Sequence, residues 1–264
     1  MNTRLSVSAV SSWRASFDED LALWERLGVD HVGLSLRKCE EAGLEPAADQ
    51  VRDAGLRVSN VVECGWCALD DPATWPAYQA RLLAATDLMR SVGAQVLVLT
   101  TGPAGSLDWD AAVWALGRVL GPLRAPAEDA GVRIAIENTS AMRLDLSFAT
   151  TLRDTVDLAE QLDLAVCLEL NSCWAERAFA DTVARAGARL AHVQVSDARV
   201  GSLTTPDRLV PGDGDIPIAA RLEAIRAAGY DGAFEIEMVG PRIDDEGYEA
   251  AIRRAVAHLD GVLS

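Results

Sequence analysis

Short runs of apolar residues alternate along the chain with longer segments in which apolar residues recur every three or four positions. The short runs predict parallel β-strands buried on both faces, because such strands carry few polar residues. The longer segments predict amphipathic helices with one apolar side. The predicted strands are residues 5–10, 31–36, 57–62, 95–100, 133–137, 165–170, 191–195 and 233–238.

The predicted helices fill the intervals between these strands. Most are followed by a glycine, which tolerates the left-handed backbone conformation that ends a helix. Residues 40–55 are less regular but contain enough helix-forming residues for a further helix. The regular helices are predicted over residues 18–27, 75–92, 110–130, 152–162, 175–186, 219–228 and 248–263.

Eight strand–helix units in 264 residues predict a closed barrel. An open, doubly wound sheet would show the same alternation with five or six strands. That alternative is disfavoured because no Gly-x-Gly-x-x-Gly motif follows the first strand. No linker or change of composition divides the chain. We therefore predict one α/β domain over residues 1–264, a single (β/α)8 TIM barrel.

The charge balance narrows the classes of partner. The chain has 40 acidic and 24 basic residues, a formal net charge of −16, while half of its residues are hydrophobic. The apolar content is enough for a large core and excludes a disordered acidic tail. The negative charge is the wrong sign for binding nucleic acid or an anionic membrane surface. We expect a small-molecule substrate, with no nucleic acid and no membrane, and leave a homo-oligomer open.

The cysteines and the first residues bear on the compartment. Five cysteines, an odd number, argue against a secreted disulfide framework. The N-terminus leads directly into a strand-like alternation, no export signal precedes it, and no apolar run is long enough to span a bilayer. These features predict a cytoplasmic protein.

Two glutamates stand where a barrel of this kind places its active site, at the C-terminal ends of the strands. Glu137 ends the fifth predicted strand, and Glu237 lies near the end of the eighth. Strand alternation places both on the face opposite isoleucine and phenylalanine, which is the inner face. Such a pair can act as acid and base or as half of a metal site. Glu235 shares the face of Glu237 and competes with it, and solvated loop positions are the alternative.

Tryptophans follow several of the predicted strands. Trp13, Trp66 and Trp174 fall in loops after the first, third and sixth strands. Indole rings at the rim would suit stacking on a sugar ring or on an aromatic substrate. We predict that these three residues bind substrate, with packing of the loops as the alternative.

Four segments of the second half carry a resemblance that extends over essentially the whole chain. The segments are Arg133-Ile-Ala-Ile-Glu-Asn138, Leu190-Ala-His-Val-Gln-Val-Ser-Asp197, Pro211-Gly-Asp-Gly-Asp-Ile216 and Tyr230-Asp-Gly-Ala-Phe-Glu-Ile-Glu237. They resemble the xylose-isomerase-like barrel superfamily of sugar-phosphate isomerases and epimerases.

The resemblance implies a site for one divalent ion with Glu, Asp, His and Glu as ligands on strands five to eight. By position these ligands fall on Glu137, Asn171, Gln194 and Glu237. Asn171 and Gln194 depart from the pattern and remove one charge and one nitrogen donor. Their oxygens favour Mn or Mg over Zn. The same two departures leave a site without metal as the alternative.

Two further residues are substrate-binding candidates. His192 lies two residues before Gln194 on the same face, deeper in the barrel, where an interior hydrogen-bonded histidine is the alternative. Arg208 precedes the Pro-Gly-Asp-Gly-Asp segment, which borders the substrate in the family. Its guanidinium would suit a carboxylate or phosphate group.

The resemblance implies an isomerase or epimerase that removes a proton next to a carbonyl group of a small polyhydroxylated or keto substrate, with help from a divalent metal. A lyase or dehydratase that resembles inosose or 3-dehydroshikimate dehydratases is the first alternative. A metal-free barrel that binds a ligand without turnover is the second. Endonucleases that cut at abasic sites share the superfamily, but three histidines and the negative charge exclude their metal cluster and basic surface.

Overall fold

The computed structural model describes residues 2–63, 65 and 67–264. Within these residues, eight parallel strands pair in chain order, and the eighth pairs with the first to close a barrel. This confirms the predicted (β/α)8 TIM barrel. The strands are β1 (Leu5–Ser8), β2 (His31–Ser35), β3 (Arg57–Glu63), β4 (Val96–Leu99), β5 (Arg133–Glu137), β6 (Ala165–Glu169), β7 (Leu190–Val195) and β8 (Phe234–Ile236).

Helices cover the outside of the barrel. α1 begins after Ser16, which exchanges hydrogen bonds with Glu19 through a capping box, so both residues satisfy a donor at the start of the helix. Among the described residues, no helix is long and apolar enough to cross a membrane. The helices are α1 (Phe17–Leu27), α2 (Leu36–Ala42), α3 (Leu44–Asp53), α4 (Trp75–Val92), α5 (Trp109–Leu120), α6 (Arg124–Asp129), α7 (Leu152–Leu162), α8 (Leu170–Cys173), α9 (Phe179–Ala186), α10 (Ile218–Ala227), α11 (Pro241–Glu246) and α12 (Tyr248–Leu263).

Two predicted helices are interrupted. The single helix predicted over 110–130 is wrong, because α5 and α6 are separated by a 3-10 turn, Gly121–Leu123, that contains Pro122. Proline lacks an N–H group and clashes with the preceding helical turn. The segment 40–55 likewise contains the end of α2 and all of α3, divided at Gly43 with φ of 90°. The sequence pattern also missed the short helix α11.

The barrel separates two apolar clusters. The larger one fills the layer between strands and helices, where Leu5 and Val7 of β1 contact it. The smaller one lies inside the barrel and is supplied mainly by β3, β4, β5 and β6. On β1, alternation turns Ser6 and Ser8 inward, and both are fully buried. The interior is therefore lined by apolar residues along β3 to β6 and by polar residues along β1.

Candidate active site

Three carboxylates meet at the C-terminal mouth of the barrel. Glu137 ends β5, Glu169 ends β6, and Glu237 follows β8 directly. Their exposed fractions are only 7%, 0% and 4%. Carboxylates are rarely buried unless they are paired, and three together create a strong demand for protons or a cation.

One guanidinium group, that of Arg208, neutralises part of this negative charge. Arg208 Nη1 lies 2.5 Å from Glu237 Oε1 and 2.9 Å from Glu169 Oε2. The same nitrogen donates to the backbone carbonyl of Glu237 at 3.0 Å. Within the described part of the chain, no other arginine or lysine forms an ion pair with Glu137, Glu169 or Glu237. The mouth thus holds three acids and one base.

The backbone of Arg208 is fixed at both neighbouring strand ends. Its N–H donates to the carbonyl of Val239, beyond β8, at 3.1 Å. The next residue, Leu209, exchanges two backbone hydrogen bonds with Asp197, beyond β7, at 2.8 and 3.0 Å. The guanidinium is therefore carried by a loop whose backbone is hydrogen-bonded to the segments that follow β7 and β8.

The Asp197 carboxylate organises the rest of this loop. Its Oδ2 accepts the N–H groups of Gly212 and Gly214 at 2.9 Å, and its Oδ1 accepts that of Ile216 at 3.0 Å. A Cβ atom at Gly214 would come within 2.2 Å of Asp197 Oδ1, so only glycine permits this approach. The Pro-Gly-Asp-Gly-Asp segment is thus a turn built around one buried acid.

Gln194 lies on β7 and contacts both Glu237 and Cys167. Its Nε2 donates to Glu237 Oε2 at 2.5 Å, and its Oε1 accepts the Cys167 thiol at 3.4 Å. The amide therefore turns its donor, and not its oxygen, towards Glu237.

The inner position at the end of β6 belongs to Glu169 and not to Asn171. Asn171 lies on α8, and its side-chain Nδ2 donates to the carbonyl of Asp197 at 2.9 Å. Its backbone N–H donates to Glu169 Oε1 at 2.8 Å. Asn138 fixes the same strand end by exchanging two hydrogen bonds of 3.0 Å with the backbone of Glu169. The sequence interpretation missed this role of Glu169, although its alternation with Ala165 and Cys167 signals the inner face.

A second polar group lies deeper in the barrel. His192 Nε2 is 2.9 Å from Glu235 Oε2, and Asn60 Nδ2 donates to the same oxygen at 3.4 Å. A Cβ atom at Gly33 would come within 1.7 Å of Glu235 Oε1, so the carboxylate uses the space that glycine leaves. His192 is 1% exposed and is hydrogen-bonded in the interior, below the mouth.

The three tryptophans have different surroundings. Trp13 follows β1 with 38% of its surface exposed, and the Arg37 guanidinium lies 4.9 Å from the centre of its ring. Trp174 is partly buried and packs against the large apolar cluster. Trp66 lies outside the described residues. Substrate binding by these residues stays a prediction.

The mouth acids hold their protons more tightly than free carboxyl groups. Burial raises the pKa of Glu137 well above its usual range, and the charges of Glu237 and Glu169 raise it further. Burial also raises the pKa of Glu169 to about 7 although Arg208 opposes the shift, and the pKa of Glu237 moves upward under the same two influences. Burial lowers the pKa of Arg208, but the surrounding carboxylates outweigh this effect and raise it overall.

These residues do not fit a divalent ion in this arrangement. The space between Glu169 and Glu237 is bridged by Arg208 Nη1. Gln194 presents its N–H group to Glu237, and Asn171 lies on α8 with its Nδ2 on the Asp197 carbonyl, so both amides act here as donors and not as the oxygen ligands that a metal requires. Within residues 2–63, 65 and 67–264, no three His, Cys, Asp or Glu side chains are grouped so that they could hold a metal.

The chain matches one protein family and several solved structures. A sequence model of the xylose isomerase-like TIM barrel family matches residues 21–260. The protein SMc04130 from Sinorhizobium meliloti 1021 is 24% identical, with 98% of each chain covered and a TM-score of 0.89. An IolI protein with a bound zinc atom is 17% identical, with 99% of this chain and 98% of that one covered and a TM-score of 0.84.

D-psicose 3-epimerase, solved in the presence of D-fructose, is 19% identical, with 99% of each chain covered and a TM-score of 0.79. At these identities the structural likeness shows a shared fold. No curated protein matches the sequence.

Proposed function

This chain belongs to the xylose isomerase-like TIM barrel family, and we propose that it is an isomerase or epimerase of a small polyhydroxylated carbonyl compound. The reaction would be a proton transfer carried by Glu137 and Glu237. The family supports this class of reaction, because a structural relative over the full chain is D-psicose 3-epimerase.

One observation carries the proposal: three buried carboxylates lie at the mouth, and the single guanidinium there pairs with only two of them, Glu169 and Glu237. Arg208 keeps Glu237 paired and favours its ionised form, while the Glu137 carboxylate receives no hydrogen bond or ion pair from any described residue. Burial and two acidic neighbours raise the pKa of Glu137 well above its usual range, whereas Arg208 opposes the rise in the pKa of Glu237. An acid that holds its proton tightly beside one that is paired with a cation is the combination that a proton shift requires.

The reaction balances with these two groups. The Glu237 carboxylate removes the proton from the carbon next to the carbonyl, the C–H electron pair forms a C=C bond, and the carbonyl π pair moves to the oxygen to give an enediolate. Glu137 then returns a proton to the opposite face of the same carbon, giving an epimer, or to the former carbonyl carbon, giving an isomer. In the second case the proton of the adjacent hydroxyl group passes to the enediolate oxygen, so that the carbonyl forms at the other carbon. The two carboxyl groups end with their protonation states exchanged and are reset through solvent.

Deuterium uptake tests this proposal. The purified protein is incubated in heavy water with a panel of ketopentoses, ketohexoses and cyclic polyhydroxy ketones, and each recovered compound is examined by NMR. We expect deuterium at the carbon next to the carbonyl of at least one compound. Glu137→Gln and Glu237→Gln should each lower the exchange rate by about 10²–10⁴-fold, because each removes one proton carrier.

Glu249→Gln is the matched control, since Glu249 lies on the outer helix α12 and pairs with Arg26 and Arg253. It should exchange deuterium at the wild-type rate. Full activity in both mouth variants would contradict the assignment, and so would the absence of exchange with the whole panel.

The same spectra separate the alternatives. A product that has lost one molecule of water would indicate the lyase or dehydratase alternative, which begins with the same proton removal. A compound that binds, with shifted resonances but without deuterium uptake, would indicate a ligand-binding barrel.

A further inference from the structure

We propose that Arg208 takes the place of the divalent ion in this barrel mouth, so that its guanidinium is the resident cation of the site. The part of this inference that concerns the reaction rests on the proposed function. The part that concerns metal exclusion does not.

The contacts of Arg208 are those expected of a central cation. A single nitrogen, Nη1, lies within 3.0 Å of three oxygens from two strand ends, Glu169 Oε2, Glu237 Oε1 and the Glu237 carbonyl. A metal ion between strands six and eight would need these carboxylate oxygens as ligands. The guanidinium and the ion therefore compete for the same positions, and their like charges exclude joint occupancy at such short range.

The neighbouring amide is adapted to this arrangement. Gln194 donates to the remaining oxygen of Glu237, Oε2, so both oxygens of that carboxylate accept hydrogen bonds. Its own oxygen is used by the Cys167 thiol. A metal-ligating glutamine would turn its oxygen inward, which would cost both of these contacts.

The guanidinium keeps donors for a substrate. An arginine has five N–H groups in a planar fork, and the protein contacts of Arg208 all come from Nη1 among the residues described. Nη2 and Nε remain for a ligand oxygen, and 15% of the side chain is exposed. A carbonyl or enediolate oxygen could then receive two parallel hydrogen bonds.

This geometry gives the cation a part in the proton transfer. When Glu237 takes the substrate proton it loses its negative charge, while the same charge forms on the enediolate oxygen. Arg208, in contact with Glu237, can stabilise the negative charge on Glu237 before the step and on the enediolate oxygen after it, without moving far. Glu169 stays in contact with Nη1 and keeps the guanidinium in position.

Manganese titration tests the exclusion of metal without any measurement of activity. The wild-type protein is treated with chelator, dialysed and titrated with Mn²⁺ while free Mn²⁺ is followed by electron paramagnetic resonance. We expect Arg208→Met to bind Mn²⁺ at least about tenfold more tightly than wild type, because Glu169 and Glu237 lose their cation. Arg242→Met is the matched control, since Arg242 pairs with Asp207 and touches none of the mouth acids.

The results divide cleanly. A wild-type protein that forms a stoichiometric, tight complex with Mn²⁺ or Zn²⁺ overturns the inference, even if Arg208→Met does not fold. Equal Mn²⁺ affinity of wild type and a folded Arg208→Met also overturns it. Weak binding by wild type, unchanged in the control and strengthened in Arg208→Met, supports it.

Activity adds a second measurement once a substrate is found. Wild-type turnover should resist chelator, and Arg208→Ala should lose about 10²–10³-fold in kcat, the scale of one lost oxyanion donor. Added guanidinium ion should restore part of that loss, whereas restoration by Mn²⁺ instead would overturn the inference. If no compound of the panel is turned over, the proposed function fails and the manganese titration still decides this inference.

Discussion

The protein buries charge in two places, and the two are built differently. Under the first loop, Lys38 faces Asp20, with both side chains fully buried. Lys38 Nζ donates to Asp20 Oδ2 at 2.7 Å and to the carbonyls of Ala9 and Ser12 at 2.9 Å, so each of its three N–H groups has a partner. In the mouth, Arg208 pairs with Glu169 and Glu237, and the third glutamate, Glu137, has no ion pair with any described residue.

This difference suggests a structural role for the Lys38–Asp20 pair and a chemical role for the acids of the mouth. Burial raises the pKa of Asp20 to about 6, with Lys38 opposing the shift, so Asp20 stays mostly ionised at neutral pH. The pKa of Glu169 is raised to about 7 and that of Glu137 well above its usual range. The Lys38–Asp20 pair balances its charges and fixes the backbone after β1. In the mouth the acids outnumber the single cation, so they bind protons more tightly than free carboxyl groups do.

The largest effect is expected from breaking the balanced pair. Lys38→Met leaves Asp20 buried without a counter-charge and should lower the free energy of unfolding by about 3–5 kcal/mol, measured by urea denaturation at pH 7. Lys38→Met combined with Asp20→Leu removes both charges and should recover most of that loss. A loss below about 1 kcal/mol in the single variant would show that the pair does not hold this loop.

The opposite sign is expected for one acid of the mouth. Glu169 has a folded pKa of about 7 against 4.5 in the unfolded chain, so the folded state binds more protons between these values, and stability falls as the pH rises through this window. Glu169→Gln removes that cost and should raise the free energy of unfolding by about 1–3 kcal/mol at pH 8, with little change near pH 4.5.

Parallel urea curves at pH 5 and pH 8 measure this effect. A gain that is the same at both values would mean that the acid is not titrating with a raised pKa. A loss of stability at pH 8 would mean that the contact of Glu169 with Arg208 stabilises the fold by more than burial of the ionised Glu169 destabilises it.

The smallest effect should come from charges that are paired at the surface. Arg185 contacts Asp157 and Glu160 but 43% of its side chain is exposed. Arg185→Ala should change the free energy of unfolding by less than about 1 kcal/mol, and salt should reduce the change further. A larger loss in the same urea assay would show that charge pairing matters here without burial, and the comparison between the two buried regions would lose its basis.

The sequence predicted the eight strands better than the points at which helices are interrupted. The eight strands were visible because strands buried on both faces need continuous apolar runs. The helix over 110–130 was predicted as one, since its apolar spacing continues across Pro122 and outweighed the breaker in the pattern. Gly43 similarly divides a segment whose composition alone indicated one helix.

The candidate site was predicted in part. Alternation placed Glu137 and Glu237 on the inner face, where the structure has them. Family position favoured Asn171, whereas β6 ends at Glu169 and Asn171 already belongs to a helix. On a longer strand Asn171 would share the inner face with Glu169, but the chain turns into α8 after Glu169, so only Glu169 keeps that position.

The sequence by itself determined the fold class, the end of the barrel where polar groups gather, and two of the three mouth acids. These follow from local periodicity, which acts over a few residues. Tertiary structure alone decided that Arg208 reaches Glu169 and Glu237, residues 39 and 29 positions away, and that Lys38 is buried against Asp20. Such contacts depend on the path of the loops and on closure of the barrel. Burial then gives the charges different roles, because the Lys38–Asp20 pair fixes a loop whereas the acids of the mouth acquire raised pKa values.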